Sequence, residues 1–230
     1  MKKDLIIPLL LLVAVTLGCS TIRDPATKGN GPASSNSNST SNGGDSPKGT
    51  TTASGDPRED VVVAAKKFLD LPAFSAKMDG TGINELHMQV AYIAPDRFHI
   101  IHSGGPAAGM EIIMIGKQTY MKVGGKWQKF PAALGTSIPD LREAFDEEGL
   151  KTLTDVKFEG DDTAEGKPAL LYSYRNTTPK EHYPFTSKIW VRKDNGLPAK
   201  VSVDYASGVM KQMTIVYDTD TPVKIEPPVQ

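Results

Sequence analysis

The sequence predicts an α+β domain built on one large, curved antiparallel sheet, an incomplete β-barrel closed by two or so helices. Three observations lead there. One amphipathic helix opens the domain, after which the hydrophobic period changes from helical to two and stays so for most of the chain. The apolar runs are short and separated by Gly, Pro, Asn and Asp at hairpin spacing. A sheet of about ten strands with so few helices must curl to hide its apolar face.

The elements ahead of the domain come first. Met1-Lys2-Lys3 is a short cationic start, and Leu5 to Leu17 is an apolar run of 13 residues ending in Gly18-Cys19. A membrane-spanning helix needs about 20 apolar residues, so this run has instead the length of a signal-peptide core, and residues 1–18 are expected to be removed. Val15-Thr16-Leu17-Gly18-Cys19-Ser20 resembles the bacterial lipobox. Gly18 and Cys19 match it, while Thr16 stands where leucine is usual. The resemblance implies that Cys19 is acylated and anchors the chain to a membrane, with several acyl chains holding far more firmly than one. Ser20, in place of Asp, fits release to the periplasmic face of an outer membrane in a Gram-negative organism. Cys19 is the single cysteine of the chain, so no internal disulfide can form.

Residues 19–55 form the lipidated terminus and a linker of Ser, Asn, Thr, Gly and Pro that has almost nothing to bury. About 36 such residues span roughly 35 Å by the square-root rule, enough to hold a domain clear of the headgroups. Residues 56–230 are left for one domain.

Within it, Asp56-Pro57-Arg58-Glu59 reads as a helix start: Asp56 as N-cap, Pro57 at the first helical position, Glu59 placed to complete a capping box. Val61, Ala64, Ala65, Phe68 and Leu69 then share one face, Lys66, Lys67 and Asp70 lie off it, and Pro72 ends the segment. Leu86, Met88, Val90 and Tyr92 next alternate with Glu85, His87, Gln89 and Ala91, the pattern of a half-buried strand. Strands are expected over 97–103, 110–115, 119–123 and 126–130, punctuated by Ala94-Pro95-Asp96, Gly104-Gly105-Pro106, Gly116-Lys117 and Gly124-Gly125. A second helix is expected from Ser137-Ile138-Pro139-Asp140 through Leu141, Ala144 and Phe145 to Gly149. Strands resume over 156–160, 169–175, 187–192, 199–205 and 209–217, with Asp194-Asn195-Gly196 and Ser207-Gly208 as turns.

Ala91-Tyr92-Ile93-Ala94-Pro95-Asp96-Arg97-Phe98, the segment from Glu111 to Trp127, and Ile189-Trp190-Val191-Arg192-Lys193-Asp194-Asn195-Gly196-Leu197-Pro198-Ala199-Lys200 carry a resemblance to a known family. With the order of elements over residues 57–226, they make the chain similar to the LolA-like and LppX-like lipoprotein half-barrels. The resemblance implies a concave face that holds acyl chains or another greasy ligand. A shared fold does not by itself transfer a task.

The residues give catalysis no support. Lys plus Arg total 26 against 27 for Asp plus Glu, and no basic stripe offers to neutralise phosphates, so nucleic acid is not an expected partner. His99 and His102 would face one metal on a helix but point to opposite sides of a strand. Ser103 to Gly109 is glycine-rich yet lacks the Lys and Ser/Thr of a phosphate loop, and reads as a hairpin loop. Asp146-Glu147-Glu148, placed at a helix end, and Asp161-Asp162, placed in a turn, read as solvated charge. No serine sits in a Gly-x-Ser-x-Gly elbow. The expectation is a protein that is not an enzyme and uses no cofactor or metal.

What remains is an apolar face. Alternation places Leu86, Met88, Val90, Tyr92, Phe98 and Ile100 on one wall of a cavity, with Ile189, Val191, Val201 and Val203 opposite. Met110, Ile112 and Met114 join them, although Ile113 and Ile115 leave that strand's facing open. The many methionines suit either an ordinary core or a surface that receives variable apolar ligands. Two functions stand: a carrier of lipid or acyl chains, and an envelope sensor or protein-interaction module on the same fold.

Overall fold

The computed structural model describes residues 50–82, 85–131, 142, 145–176, 185–206 and 208–228. Cys19, the expected signal segment, the expected tether through residue 49, His182 and most of the expected second helix lie outside the described residues. Those described belong to one compact unit, Asp45–Gln230.

Helix α1 spans Pro57–Leu69 as the sequence implies. The Asp56 side chain caps it by accepting from the N–H groups of Arg58 and Glu59, and Pro57 loses nothing at a position that has no intrahelical partner. The carboxylate that reaches back is Asp60, not Glu59: it accepts the Ser54 N–H at 3.1 Å. Val61, Val62, Ala64, Ala65 and Phe68 are buried, while Lys66 and Lys67 stay exposed near the C-terminus, where cations favour the helix dipole. The last residues of the expected tether are held to the domain, for the Thr51 N–H donates to the Lys193 carbonyl at 2.6 Å.

Among the described residues eleven strands follow, one more than the apolar runs announce: β1 Ala73–Gly82, β2 Leu86–Ile93, β3 Arg97–Gly104, β4 Glu111–Ile115, β5 Gln118–Val123, β6 Lys126–Pro131, β7 Thr154–Ala164, β8 Lys167–Asn176, β9 Phe185–Arg192, β10 Pro198–Tyr205 and β11 Met210–Asp218. All join in a single antiparallel sheet of order β6-β5-β4-β3-β2-β1-β11-β10-β9-β8-β7. Two meanders, β1–β6 and β7–β11, therefore meet along one seam between β1 and β11, and β6 and β7 are the free edges of an open half-barrel.

The strand missing from the sequence reading is β1, the one that makes the seam. Its Ala-Phe-Ser-Ala-Lys-Met-Asp-Gly-Thr-Gly run is poor in β-branched residues, yet Phe74, Ala76, Met78 and Gly80 are its buried phase. Gly80 is there for close packing. A Cβ on it would meet the Met210 sulfur at 2.8 Å and the Leu86 Cβ at 3.2 Å.

Two further expectations are corrected. Asp161 and Asp162 are not in a turn: they pair with Leu170 and Ala169 inside β7, and the reversal comes at Glu165-Gly166, both with positive φ. Asp146, Glu147 and Glu148 open a helix instead of ending one. Asp146 caps α2, Glu147–Lys151, by accepting the Gly149 N–H at 2.8 Å, so Gly149 lies within the helix. Carboxylates belong at that positive end. The described part of this region starts the short helix where the apolar stripe of the sequence suggested a longer one would stop.

Candidate functional site

Register turns alternation into rows across the concave face. Met88 on β2 faces Met78 on β1, which faces Ile215 on β11. The same row continues through Val201 and Ile189 to Tyr172 on β8. One row further along, Tyr217, Ala76, Val90, Ile100, Ile112 and Met121 lie side by side from β11 to β5. Ile112 is thus an inward residue and Ile113 an outward one.

Helix α1 lies in this concavity, packed chiefly over β7, β9 and β10. Its anchor is Phe68, fully buried, with ring centroids 4.7 Å from Phe74, 4.7 Å from Tyr217 and 5.3 Å from Phe145. Polar contacts fix the helix at both ends. Near its start the Tyr172 hydroxyl donates to Asp60 at 2.9 Å, and burial, helped by that carboxylate, pushes the Tyr172 phenol well up. Arg58 donates to the Leu150 carbonyl at 3.1 Å, tying α1 to α2. At its C-terminus Arg142 donates both to the Leu69 carbonyl and, at 2.9 Å, to the Tyr92 hydroxyl, and stacks over the Tyr92 ring. A cation on the last helical carbonyls is favoured by the dipole.

Every residue expected to line the cavity lies on this face. Met88, Val90, Tyr92, Ile100, Ile112, Ile189, Val191, Val201 and Val203 are buried in one cluster with the apolar stripe of α1, and Leu86, Phe98, Met110 and Met114 pack against that cluster partly exposed. The deepest of them are in contact with protein side chains in this conformation. Sequence reasoning missed the inward residues of β1, Leu170, Tyr172 and Tyr174 of β8, and Ile215 and Tyr217 of β11. For β8 and β11 the strands were found and only their phase went unused. Arg142 and the buried Asn176 carried no periodic signal. Asn176 is 2% exposed, and among the described residues its side-chain amide has no hydrogen-bond partner, nor has the buried Nδ1 of His102.

The outer face carries ion pairs instead. His99 bonds Glu111 at 2.9 Å, and Lys122, with His99, holds the Glu111 carboxyl below the ordinary range. His102 points to the other side, as strand geometry requires. Arg192, 5% exposed, donates to Asp194 and Asp220 at 2.8 Å each. Asp218 turns the chain by accepting the N–H groups of Asp220 and Thr221. From there the C-terminal segment crosses the outer face, where Ile225 is buried against Ile113 and Tyr120 and its carbonyl accepts from Arg97. Between the helices a cleft of about 510 Å³ has Val62, Leu69 and Leu150 in its wall and Arg58, Lys66 and Lys151 at its rim.

No protein-family model matches the chain, and no curated protein matches its sequence. Solved structures do match. The crystal structure of the Mycobacterium tuberculosis lipoprotein LppX aligns with a TM-score of 0.55 at 12% identity, over 76% of this chain and 100% of that one. LprF from Mycobacterium bovis aligns with a TM-score of 0.59 at 13% identity, over 77% and 99%. MucB aligns at 0.50 and 14% identity, over 74% of this chain and 62% of its own. At such identities the likeness is one of fold, and the chain has the LppX-like half-barrel that the sequence resemblance implied.

Proposed function

We propose that this chain is a membrane-anchored, non-catalytic protein of the cell envelope that binds or carries lipid, or the acyl chains of a lipoprotein, against its concave face. The observation that carries the reading is the makeup of that face. It is apolar across its width, and the partly exposed side chains packed against it include four methionines, Met110, Met114, Met121 and Met213, beside Leu86 and Phe98. A core that needs only to be shut is served by stiff, branched side chains. Unbranched, polarisable methionines at partly exposed positions suit a surface whose partner varies in shape.

Each methylene transferred from water to such a face contributes about 0.8 kcal/mol, so even one acyl chain would be held well if the face admits it. Because Met88, Val90, Ile100 and Ile189 already touch protein, uptake has to exchange some contacts of the wall with protein side chains for contacts with the ligand. In this reading residues 1–18 are the signal peptide, Cys19 is the lipidated anchor, the segment to residue 55 is the tether, and residues 56–230 are the binding domain. In a Gram-negative organism the place is the periplasmic face of the outer membrane. The solved structure of a lipoprotein with this fold supports the anchor reading.

Two measurements test it. Cys19→Ala should move the chain from the membrane fraction to the soluble one; retention of an acylated, membrane-bound variant refutes the anchor. Native chain should take up a fluorescent fatty acyl probe, and Met121→Trp and Met213→Trp should reduce uptake with an unchanged far-UV spectrum. These positions are preferable to Val90, 1% exposed, and Val203, 5% exposed, where Trp would overpack the core. Equal uptake by native and variant chains refutes the lining. No uptake by any of them shifts the assignment to an envelope sensor or protein-interaction module.

A further inference from the structure

Leu170, Tyr172, Tyr174 and Asn176 occupy the inward phase of β8, and the first three are part of the apolar cluster. Asn176 is buried beside them at 2% exposure, yet among the described residues neither its amide nitrogen nor its amide oxygen has a hydrogen-bond partner. In an interior position that leaves a polar group unbonded, a leucine of nearly the same size would be the more stable choice. Helix α1 reaches β8 at the Tyr172 hydroxyl, and Asn176 is four residues on, about 13 Å along the strand and away from that contact.

Among the described residues its neighbours on the sheet are aromatic or hydroxylated. Across the sheet Asn176 faces Phe185 on β9, which faces Tyr205 on β10, the two rings 5.6 Å apart. One row inward, Tyr174 faces the buried Ser187 and hydrogen-bonds it. Arg175, Thr186 and Lys188 lie on the opposite, outward phase, and among the described residues no inward position of β8, β9 or β10 carries Asp, Glu, Lys or Arg. A carboxylate or phosphate brought here would lose its hydration and meet no cation at the described inward positions of these strands.

Resting on the lipid-binding reading of this face, we propose that Asn176, with the Tyr174 and Ser187 hydroxyls beside it, is a hydrogen-bonding subsite for the uncharged polar group of the bound lipid: an ester, amide or hydroxyl. The amide supplies both donor and acceptor to such a group. The polar end of the ligand is thereby drawn into the concavity while its chain lies along the apolar face past Met213, which shares the row of Tyr174, Ser187 and Val203, and lipids with ionised heads are disfavoured.

The test uses the full-length chain, native and as Asn176→Leu and Ser187→Ala, with a pyrene-labelled diacylglycerol and a pyrene-labelled alkane of equal chain length. Asn176→Leu should weaken diacylglycerol binding about tenfold, the worth of one to two hydrogen bonds, and leave alkane binding unchanged; Ser187→Ala should weaken the first alone by a smaller factor. The ligand-free melting temperature of Asn176→Leu should equal or exceed that of the native chain, because no bond within the protein is lost. Equal loss for both probes, no loss for either, or a lowered ligand-free melting temperature overturns the subsite and leaves the lipid-binding reading standing. No binding of either probe by the native chain removes that reading and the subsite with it.

Discussion

Phe68→Ala tests whether α1 is a structural plug of the half-barrel or a loosely laid cover. Phe68 is 0% exposed, and its ring meets Phe74, Tyr217 and Phe145 at centroid distances of 4.7, 4.7 and 5.3 Å. A buried Phe→Ala change costs about 3–5 kcal/mol, and aromatic contacts contribute about 0.5–1.5 kcal/mol each beyond area, so the loss should fall near the top of that range, about 4–5 kcal/mol. Alanine is the best helix former, so none of the loss comes from helix propensity. At about 2–4 °C per kcal/mol for a domain of this size, the melting temperature should drop roughly 10–15 °C. Guanidinium unfolding followed by the fluorescence of Trp127 and Trp190, both on the sheet, measures it. Val63→Ala, on the same helix at a residue 42% exposed, is the control and should change stability by no more than about 0.5 kcal/mol. A Phe68→Ala loss under about 2 kcal/mol with an unchanged denaturant slope would refute the plug.

Three further outcomes are expected. Ile225→Ala should cost about 2–3 kcal/mol and uncover Ile113 and Tyr120 to a hydrophobic dye; an unchanged denaturation midpoint would mean the C-terminal segment does not hold the outer face. Tyr172→Phe removes the hydroxyl that Asp60 accepts while Asp60 keeps the Ser54 N–H, and should cost about 1–2 kcal/mol by the same assay, against nothing if that bond is incidental. Burial first of all holds the Tyr172 and Tyr217 phenols well up and pushes Tyr174 up to about 12, from the ordinary 10.0. The folded state therefore keeps these protons longer than the unfolded one. The stability linked to them is complete below pH 10 and lost as pH rises toward 12 and beyond, so stability should fall in that window, with tyrosinate absorbance from these residues appearing at higher pH than from exposed tyrosines.

How much could be read in advance depended on where each contact partner lay. For β2 the reading was complete because one face meets the core and the other water, so Leu86, Met88, Val90 and Tyr92 alternate cleanly with polar residues. β4 could not be phased because both its faces are covered, Ile112 by the core and Ile113 by a segment more than a hundred residues later. The central β1 was invisible because Gly80 and Ala76 are selected for tight approach to neighbours, and small residues carry no strand signal. Asn176 and Arg142 owe their buried and part-buried polar positions to three-dimensional placement alone. The gross architecture was legible because the number of short alternating runs and the scarcity of helices leave little but a curled sheet.

The β1–β11 seam sets the order in which the molecule can be built. Every other strand pairing joins neighbours in the chain and closes a hairpin or a short loop, whereas this one brings Ser75 to Asp218. Closing a loop of that length costs more entropy, and the cost must be met before the contacts it allows are made. A chain delivered amino-terminus first therefore presents β1 with an unpaired edge until nearly the whole domain has arrived. Pairing is a late event, and β1 spends the interval as the most aggregation-exposed edge of the nascent chain. The weak strand composition that hid β1 from the sequence reading is then an asset, since an edge rich in Ala, Ser, Lys, Asp and Gly recruits a wrong partner poorly while it waits for the right one.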